Sequence, residues 1–295
     1  FAINPSLPCR LTRNRSDDSG TPPQHQSPTG PFMELNKIHQ ENCLSTLEKM
    51  GDNSVDLVVT SPPYNMNLRI RNGEYCSRQI VKEFSSKYER FSDNLPIGEY
   101  NALHTEVLKE LLRVSPLVFY NIAIVTGSKR SVFKMIGDFS EQLKEIIVWD
   151  KGYGQPAMHE KVLNRRTELI LVFDKHDAIS RQFEKGRFAR GTLEDIWTIK
   201  RQRSEHKDHG AIFPEDLIET ILENFTDEGD TVYDPFMGTG TTAVVAQDLN
   251  RNYIGSEIAE EYIKVAQDRL RNPRQRLFAT TKEHRPSKTF WQQTL

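Results

Sequence analysis

Residues 55–65 read Val-Asp-Leu-Val-Val-Thr-Ser-Pro-Pro-Tyr-Asn, and this short stretch limits the folds open to the chain. A compact apolar run of this kind suits a strand buried on both faces of a parallel sheet. It stops abruptly, because proline lacks an N–H and has a fixed φ, so neither Pro62 nor Pro63 can extend a ladder. The strand therefore ends at Ser61, and a stiff loop presents a hydroxyl, fixed carbonyls and the Tyr64 phenol. In open α/β sheets, ligands bind just beyond the carboxyl ends of strands, where such a loop is useful.

The rest of the chain supports an α/β reading. Short apolar runs at 37–40, 56–60, 117–125, 145–149, 168–173, 231–233 and 253–256 alternate with helical patterns. The helical patterns include 97–112 (Tyr100, Leu103, Val107, Leu108 and Leu111 on one face), 214–224, a segment from Thr241, and 259–270. Two polar stretches, near 66–96 and 179–208, interrupt the alternation and read as insertions. Residues 1–32, rich in Pro, Ser, Thr and Gln, have little to bury and read as a disordered extension. Arg10, Arg13 and Arg15 suggest a transit peptide, but Asp17, Asp18 and the prolines oppose an amphipathic helix. Residues 271–295 form a basic tail or linker, leaving 33–270 as one domain.

Composition removes several classes. The formal net charge of −2 excludes a uniformly basic coat, leaving local patches for any polyanion. No apolar run approaches the length that spans a bilayer, so no membrane partner is expected. Cys9, Cys43 and Cys76 show neither metal spacing nor an even disulfide count, which points to a reducing compartment. His159, His206 and His209 also lack a metal spacing, so no metal is expected.

A second motif lies late in the chain: Thr231-Val-Tyr-Asp234-Pro-Phe236-Met-Gly238-Thr239-Gly240-Thr241-Thr242-Ala243. This is a strand, a glycine turn and a helix start, whose unpaired N–H groups can receive a polar group. Gly238 and Gly240 permit a sharp turn and a close approach to a ligand. Glu257 closes the next strand at about the ~20-residue distance of a ribose-binding acid. Only one strand and one helix follow the turn, so the other strands must come from earlier in the chain. The order is thus a circular permutation of a Rossmann-like sheet, mostly parallel with helices on both faces. The Ser-Pro-Pro-Tyr strand then lies beside the glycine-turn strand at the topological switch point.

Taken in order, Ser61-Pro62-Pro63-Tyr64, Asp234-Pro-Phe-Met-Gly-Thr-Gly-Thr-Thr and Gly255-Ser256-Glu257 resemble the β-class of amino-methylating DNA methyltransferases. His209 to Leu217 resembles the segment before that family's cofactor turn. The resemblance spans roughly 37–270, and its serine form is typical of N4-cytosine members. It implies an S-adenosylmethionine-dependent enzyme acting on double-stranded DNA by base flipping, with N6-adenine as the alternative target. On this reading Ser61, Pro62, Pro63 and Tyr64 are catalytic: Ser61 Oγ and the Pro62 carbonyl accept hydrogen bonds from the target amine, and Tyr64 stacks on the base. Phe236, Gly238, Thr239, Gly240, Thr241 and Glu257 belong to the cofactor site, with Asp234 as a polar contact there or a loop-fixing acid. Asn42 stands where the family usually has an Asp for the adenine amino group, and its amide oxygen could accept the same bond; helix capping competes for it.

Basic residues interleaved with aromatics in the insertions suit phosphate and base contacts: Arg69, Arg71, Arg78, Lys82, Lys87, Tyr88, Arg90 and Phe91 in the first, and Arg181, Lys185, Arg187, Arg190, Lys200, Arg201 and Arg203 in the second. A nicotinamide-dependent oxidoreductase would share the glycine turn but leaves Ser-Pro-Pro-Tyr unexplained. A non-catalytic DNA-binding protein has no need of the intact tetrad. A restriction–modification enzyme would work in a bacterial cytoplasm at the nucleoid, a eukaryotic one in the nucleus. Monomer and homodimer are both open.

Overall fold

The computed structural model describes residues 33–65, 95–154, 160–201 and 213–272, together with the backbone of two short strands between them. The expected leader, the tail beyond 272, and His159, His206 and His209 lie outside the described residues, as do Arg78, Lys82, Lys87, Tyr88, Arg90, Phe91 and Arg203.

In chain order the elements are β1 (Lys37–His39), α1 (Cys43–Leu47), β2 (Leu57–Thr60), β3 (Arg69–Arg71), β4 (Glu74–Cys76), α2 (Ile97–Val114), β5 (Leu117–Ile122) and α3 (Lys129–Asp138). Then follow β6 (Leu143–Asp150), β7 (Thr167–Asp174), β8 (Ile196–Thr198), α4 (Glu215–Phe225), β9 (Thr231–Asp234), α5 (Thr241–Asp248), β10 (Asn252–Ser256) and α6 (Glu260–Arg271). Eight strands form one sheet in the order β1-β10-β9-β2-β5-β7-β6-β8, while β3 and β4 make a separate hairpin. β7 alone runs against its neighbours; every other pairing in the large sheet is parallel.

The strand side chains alternate between two apolar layers, as a period-two backbone buried on both faces requires. Leu57, Val59, Phe119, Ile170, Val172 and Val232 enter one layer with the inner faces of α4 and α5. Val58, Val118, Tyr120, Leu171, Phe173 and Tyr233 enter the other, with α1, α2 and α3. Cys43 belongs to this second layer, and burial pushes its thiol up to about 12.

The glycine-turn strand β9 pairs with β2 in parallel, Leu57 opposite Val232 and Val58 opposite Tyr233. From β9 the chain winds outward through β10 to β1, and from β2 it winds the other way through β5. The carboxyl ends of β2 and β9 therefore flank the switch point, where an open sheet leaves a crevice.

Two features differ from the sequence reading. The helix α3 carries Val132 and Met135 into the core on a short face interrupted by Ser131 and Gly137, a pattern too sparse to read beforehand. The stretch 179–201 is also woven into the sheet rather than set apart from it. It supplies edge strand β8, and Phe183, Phe188, Leu193 and Ile199 pack on the α4 layer.

Gly240 caps α5 with φ +81°, and a Cβ there would lie 2.6 Å from the Ala266 Cβ of α6. Both the left-handed backbone and the helix contact thus exclude a side chain. Gly240→Ala is expected to cost about 2–5 kcal/mol, from left-handed strain plus overpacking, read as a lowered urea midpoint with unchanged m-value. An unchanged midpoint would show that α6 yields freely at this contact.

Candidate active site

At the carboxyl end of β2, Thr60 Oγ1 donates to Asp234 Oδ1 at the end of β9 over 2.8 Å. Asp234 Oδ1 also accepts from the Phe236 N–H (3.0 Å), and Oδ2 accepts from the Thr242 hydroxyl at the start of α5 (2.7 Å). One buried carboxylate thus joins the catalytic-loop strand, the glycine turn and the following helix. Burial raises its carboxyl to about 6, against the pull of these three hydrogen bonds. The sequence reading left Asp234 as a polar contact for the cofactor or a loop-fixing acid; the bonds it makes here are of the second kind.

Glu257 directly follows β10. Its Oε2 accepts from Gly238 N (2.8 Å) and its Oε1 from Ala259 N (2.9 Å), while burial raises its carboxyl. Each oxygen keeps acceptor capacity beyond these bonds. Gly238 has φ +52°, and a Cβ there would meet only Phe236 O at 3.9 Å, so the turn is open on this side. Gly240 differs, since its missing Cβ serves helix packing and not ligand approach. Thr239 and Thr241 are both held by Arg269 of α6, whose Nη1 donates to Thr239 O (2.7 Å) and Thr241 Oγ1 (3.1 Å). Arg269 Nη2 reaches Glu215 of α4 (2.7 Å), so one guanidinium pins the turn to two helices.

Asn42 is the N-cap of α1, its Oδ1 accepting from Leu44 N at 2.9 Å. The oxygen assigned to the adenine amino group thus caps the helix and, as a carbonyl oxygen with two lone pairs, keeps capacity for a second bond, while Nδ2 offers a donor.

The Ser-Pro-Pro-Tyr loop opens onto a polar chain. Ser61 Oγ lies 2.8 Å from Tyr64 OH, and Tyr64 OH donates to Glu168 Oε2 over 2.9 Å. Asn121 Nδ2 reaches Tyr64 OH (2.6 Å), Glu168 Oε2 (2.9 Å) and, more distantly, Ser61 Oγ (3.4 Å). Contact with the carboxylate requires the amide N–H2 there, which leaves Asn121 Oδ1 buried without a partner among the described residues. Lys151 Nζ bonds Glu168 Oε1 at 2.8 Å, with the lysine side chain only 3% exposed, and Arg201 Nη2 stands 3.8 Å from the same oxygen. Burial and the facing Glu168 carboxylate push the Tyr64 phenol well above its ordinary range. From behind, Tyr100 OH donates to the Pro63 carbonyl (2.9 Å), fixing the loop.

Asn121, Glu168, Lys151, Arg269 and Tyr100 escaped the sequence reading. One signal was present: Glu168 begins an otherwise apolar buried strand, where a charge requires a partner. Of the basic residues assigned to a DNA surface, Lys185 pairs with Asp56 (2.9 Å) and Arg187 pairs with Asp227, so these two brace the fold. Among the described residues no cluster of His, Cys, Asp or Glu could hold a metal, and no helix is long and apolar enough to cross a membrane.

This constellation is that of a methyltransferase acting on amino groups, and comparison with known proteins agrees. A profile described as DNA methylase, of the N6/N4 type, matches residues 55–268. The chain belongs to this family and is an amino DNA methyltransferase. Type II methyltransferase M.BglII of Bacillus subtilis is 29% identical, covering 87% of this chain and 75% of its own. M2.DpnII of Streptococcus pneumoniae is 29% identical over 82% and 92%. Among solved structures, the cytosine-N4-specific PvuII DNA methyltransferase superposes with a TM-score of 0.60 at 21% identity, over 79% of this chain and 85% of that one. TTHA0409 of Thermus thermophilus, in complex with S-adenosyl-L-methionine, gives 0.54 at 22% over 80% and 93%. These two likenesses are of fold.

Asp234 generates a stability prediction. Its folded-state value of about 6 lies above the ordinary 3.8, so between these values the folded protein holds the proton more firmly than the unfolded chain. Its contribution to stability is therefore greatest below about pH 4 and falls by about 3 kcal/mol as pH rises past about 6. Asp234→Asn should remove this slope, seen as a wild-type minus variant difference in urea stability that changes between about pH 4 and about pH 7. A difference that stays flat would show that burial does not strain this carboxylate.

Proposed function

We propose that the protein transfers a methyl group to the exocyclic N4 amine of cytosine flipped out of duplex DNA. The observation carrying this reading is the pairing of β2 with β9, reinforced by the Thr60–Asp234 bond, which sets the Ser61 hydroxyl beside the glycine turn. S-adenosylmethionine, when bound, supplies an electrophilic methyl group on sulfur. The crevice fits it: Glu257 offers acceptors for ribose hydroxyls, Gly238 leaves the turn open, and Phe236 offers a partly exposed ring.

The amine of cytosine is a weak nucleophile because its lone pair is delocalised into the ring. Ser61 Oγ and the Pro62 carbonyl, as acceptors for its two N–H groups, draw the nitrogen toward a tetrahedral geometry and aim the lone pair at the methyl carbon. This is catalysis by position, with no covalent enzyme intermediate. Tyr64 stacks on the extruded base, which helps offset the cost of unstacking. The serine form of the tetrad supports cytosine over N6-adenine. Work on chromosomal DNA in a restriction–modification setting is consistent with the type II names of the relatives.

Duplex DNA incubated with the enzyme and methyl-labelled S-adenosylmethionine, then digested to nucleosides, should carry label in N4-methylcytosine. Label confined to N6-methyladenine would reverse the choice of base. Ser61→Ala should lower the single-turnover rate by about 10²-fold or more, with binding of the methyl donor retained. A rate equal to wild type would remove Ser61 from the assignment.

A further inference from the structure

We propose that Glu168, held by Lys151, orients the Ser61–Tyr64 hydrogen-bond chain and takes up the proton that the target amine loses. This rests on the reading of Ser61 as the amine's partner.

The polarity of the chain follows from its far end. An ionised carboxylate only accepts, so the Tyr64 O–H must point at Glu168 Oε2, 2.9 Å away. Tyr64 oxygen is then an acceptor, and the hydroxyl within 2.8 Å able to donate to it is Ser61. With its hydrogen so committed, Ser61 Oγ turns lone pairs outward, as an incoming N–H2 requires. Asn121 locks this arrangement by donating to both Tyr64 OH and Glu168 Oε2. Lys151 supplies the charge that lets a carboxylate sit 9% exposed at a strand start.

The same chain carries the proton away. As the amine nitrogen bonds to the methyl carbon, the carbon–sulfur bond breaks and its electron pair remains on sulfur as a neutral thioether. The nitrogen, now positive, gives a proton to Ser61 Oγ, Ser61 passes its own to Tyr64, and Tyr64 passes its own to Glu168 Oε2. Serine and tyrosine end as they began, the methylated amine is neutral, and Glu168 is a carboxylic acid. Arg201, exposed and 3.8 Å from Oε1, marks the side from which solvent can take the proton back.

Tyr64→Phe keeps the stacking ring and both buried charges but cuts the chain. Glu168→Gln with Lys151→Gln removes the charge pair together, leaving no unpaired buried ion. Each should lower the single-turnover methylation rate by about 10²–10⁴-fold at saturating DNA and S-adenosylmethionine, with unchanged affinity for S-adenosylmethionine. Combining them should add little, because a chain once cut cannot be cut again. Formate should restore rate to Glu168→Ala in proportion to its concentration, which a purely structural role does not predict. The proposal is overturned if the charge-free variant or Tyr64→Phe stays within about threefold of wild type, or if their losses multiply. In either case wild-type methylation of cytosine would stand, whereas failure of wild type to methylate any DNA would instead remove the reading on which the relay rests.

Discussion

The hydrogen bond between Thr60 and Asp234 holds together what the chain separates by 174 positions. Parallel pairing sets β2 beside β9, but ladder bonds alone leave the loops beyond the strands free to diverge. A carboxylate that also accepts from Phe236 N and the Thr242 hydroxyl removes that freedom at three points. The cost is a buried acid with no cationic partner among the described residues, reflected in its upward titration. Positional strictness therefore takes precedence over stability here, as expected where the task is to align two reactants.

The same preference recurs around the crevice. Tyr100 fixes the Pro63 carbonyl, Arg269 fixes the glycine turn, and Asn65 closes the base of the first insertion, exchanging two hydrogen bonds with Leu95 (2.9 and 2.7 Å). Asn65 adopts φ +54°, a left-handed conformation that asparagine tolerates better than most residues. The chain can thus leave the catalytic loop, run through some thirty residues and return to the same place without disturbing Tyr64.

How much of this was legible in the sequence depended on whether the signal was local. Proline after an apolar run, glycines after a strand and an acid about twenty residues later are each set by backbone chemistry within a few positions, so β2, β9, the turn and Glu257 could be read directly. Their adjacency followed from the permuted order, because a glycine turn with too few strands after it must borrow strands from before. Asn121 and Lys151 were not legible, since their meaning is a meeting between strands and each alone resembles an ordinary strand-end residue, while Glu168 showed only as a charge near the start of an apolar strand. Edge strand β8 failed for a similar reason: three residues amid charge carry no periodicity, and only pairing with β6 makes them a strand. In the second insertion, Lys185 and Arg187 are paired with acids of the same fold, a partnership between distant positions that a count of basic residues does not show.

Asn42 shows how one atom changes what a shared position can do. An aspartate there presents two oxygens and a negative charge, one oxygen to cap the helix and another to accept from an amino group. Asparagine presents one neutral oxygen, which caps α1 through Leu44 N. That oxygen has a second lone pair, so capping leaves it able to accept once more, but without the charge that strengthens a carboxylate's bond. The cap itself depends only on an oxygen two residues before Leu44 and is untouched by the exchange. The backbone's requirement fixes the orientation of the amide, and whatever that edge recognises must conform to it.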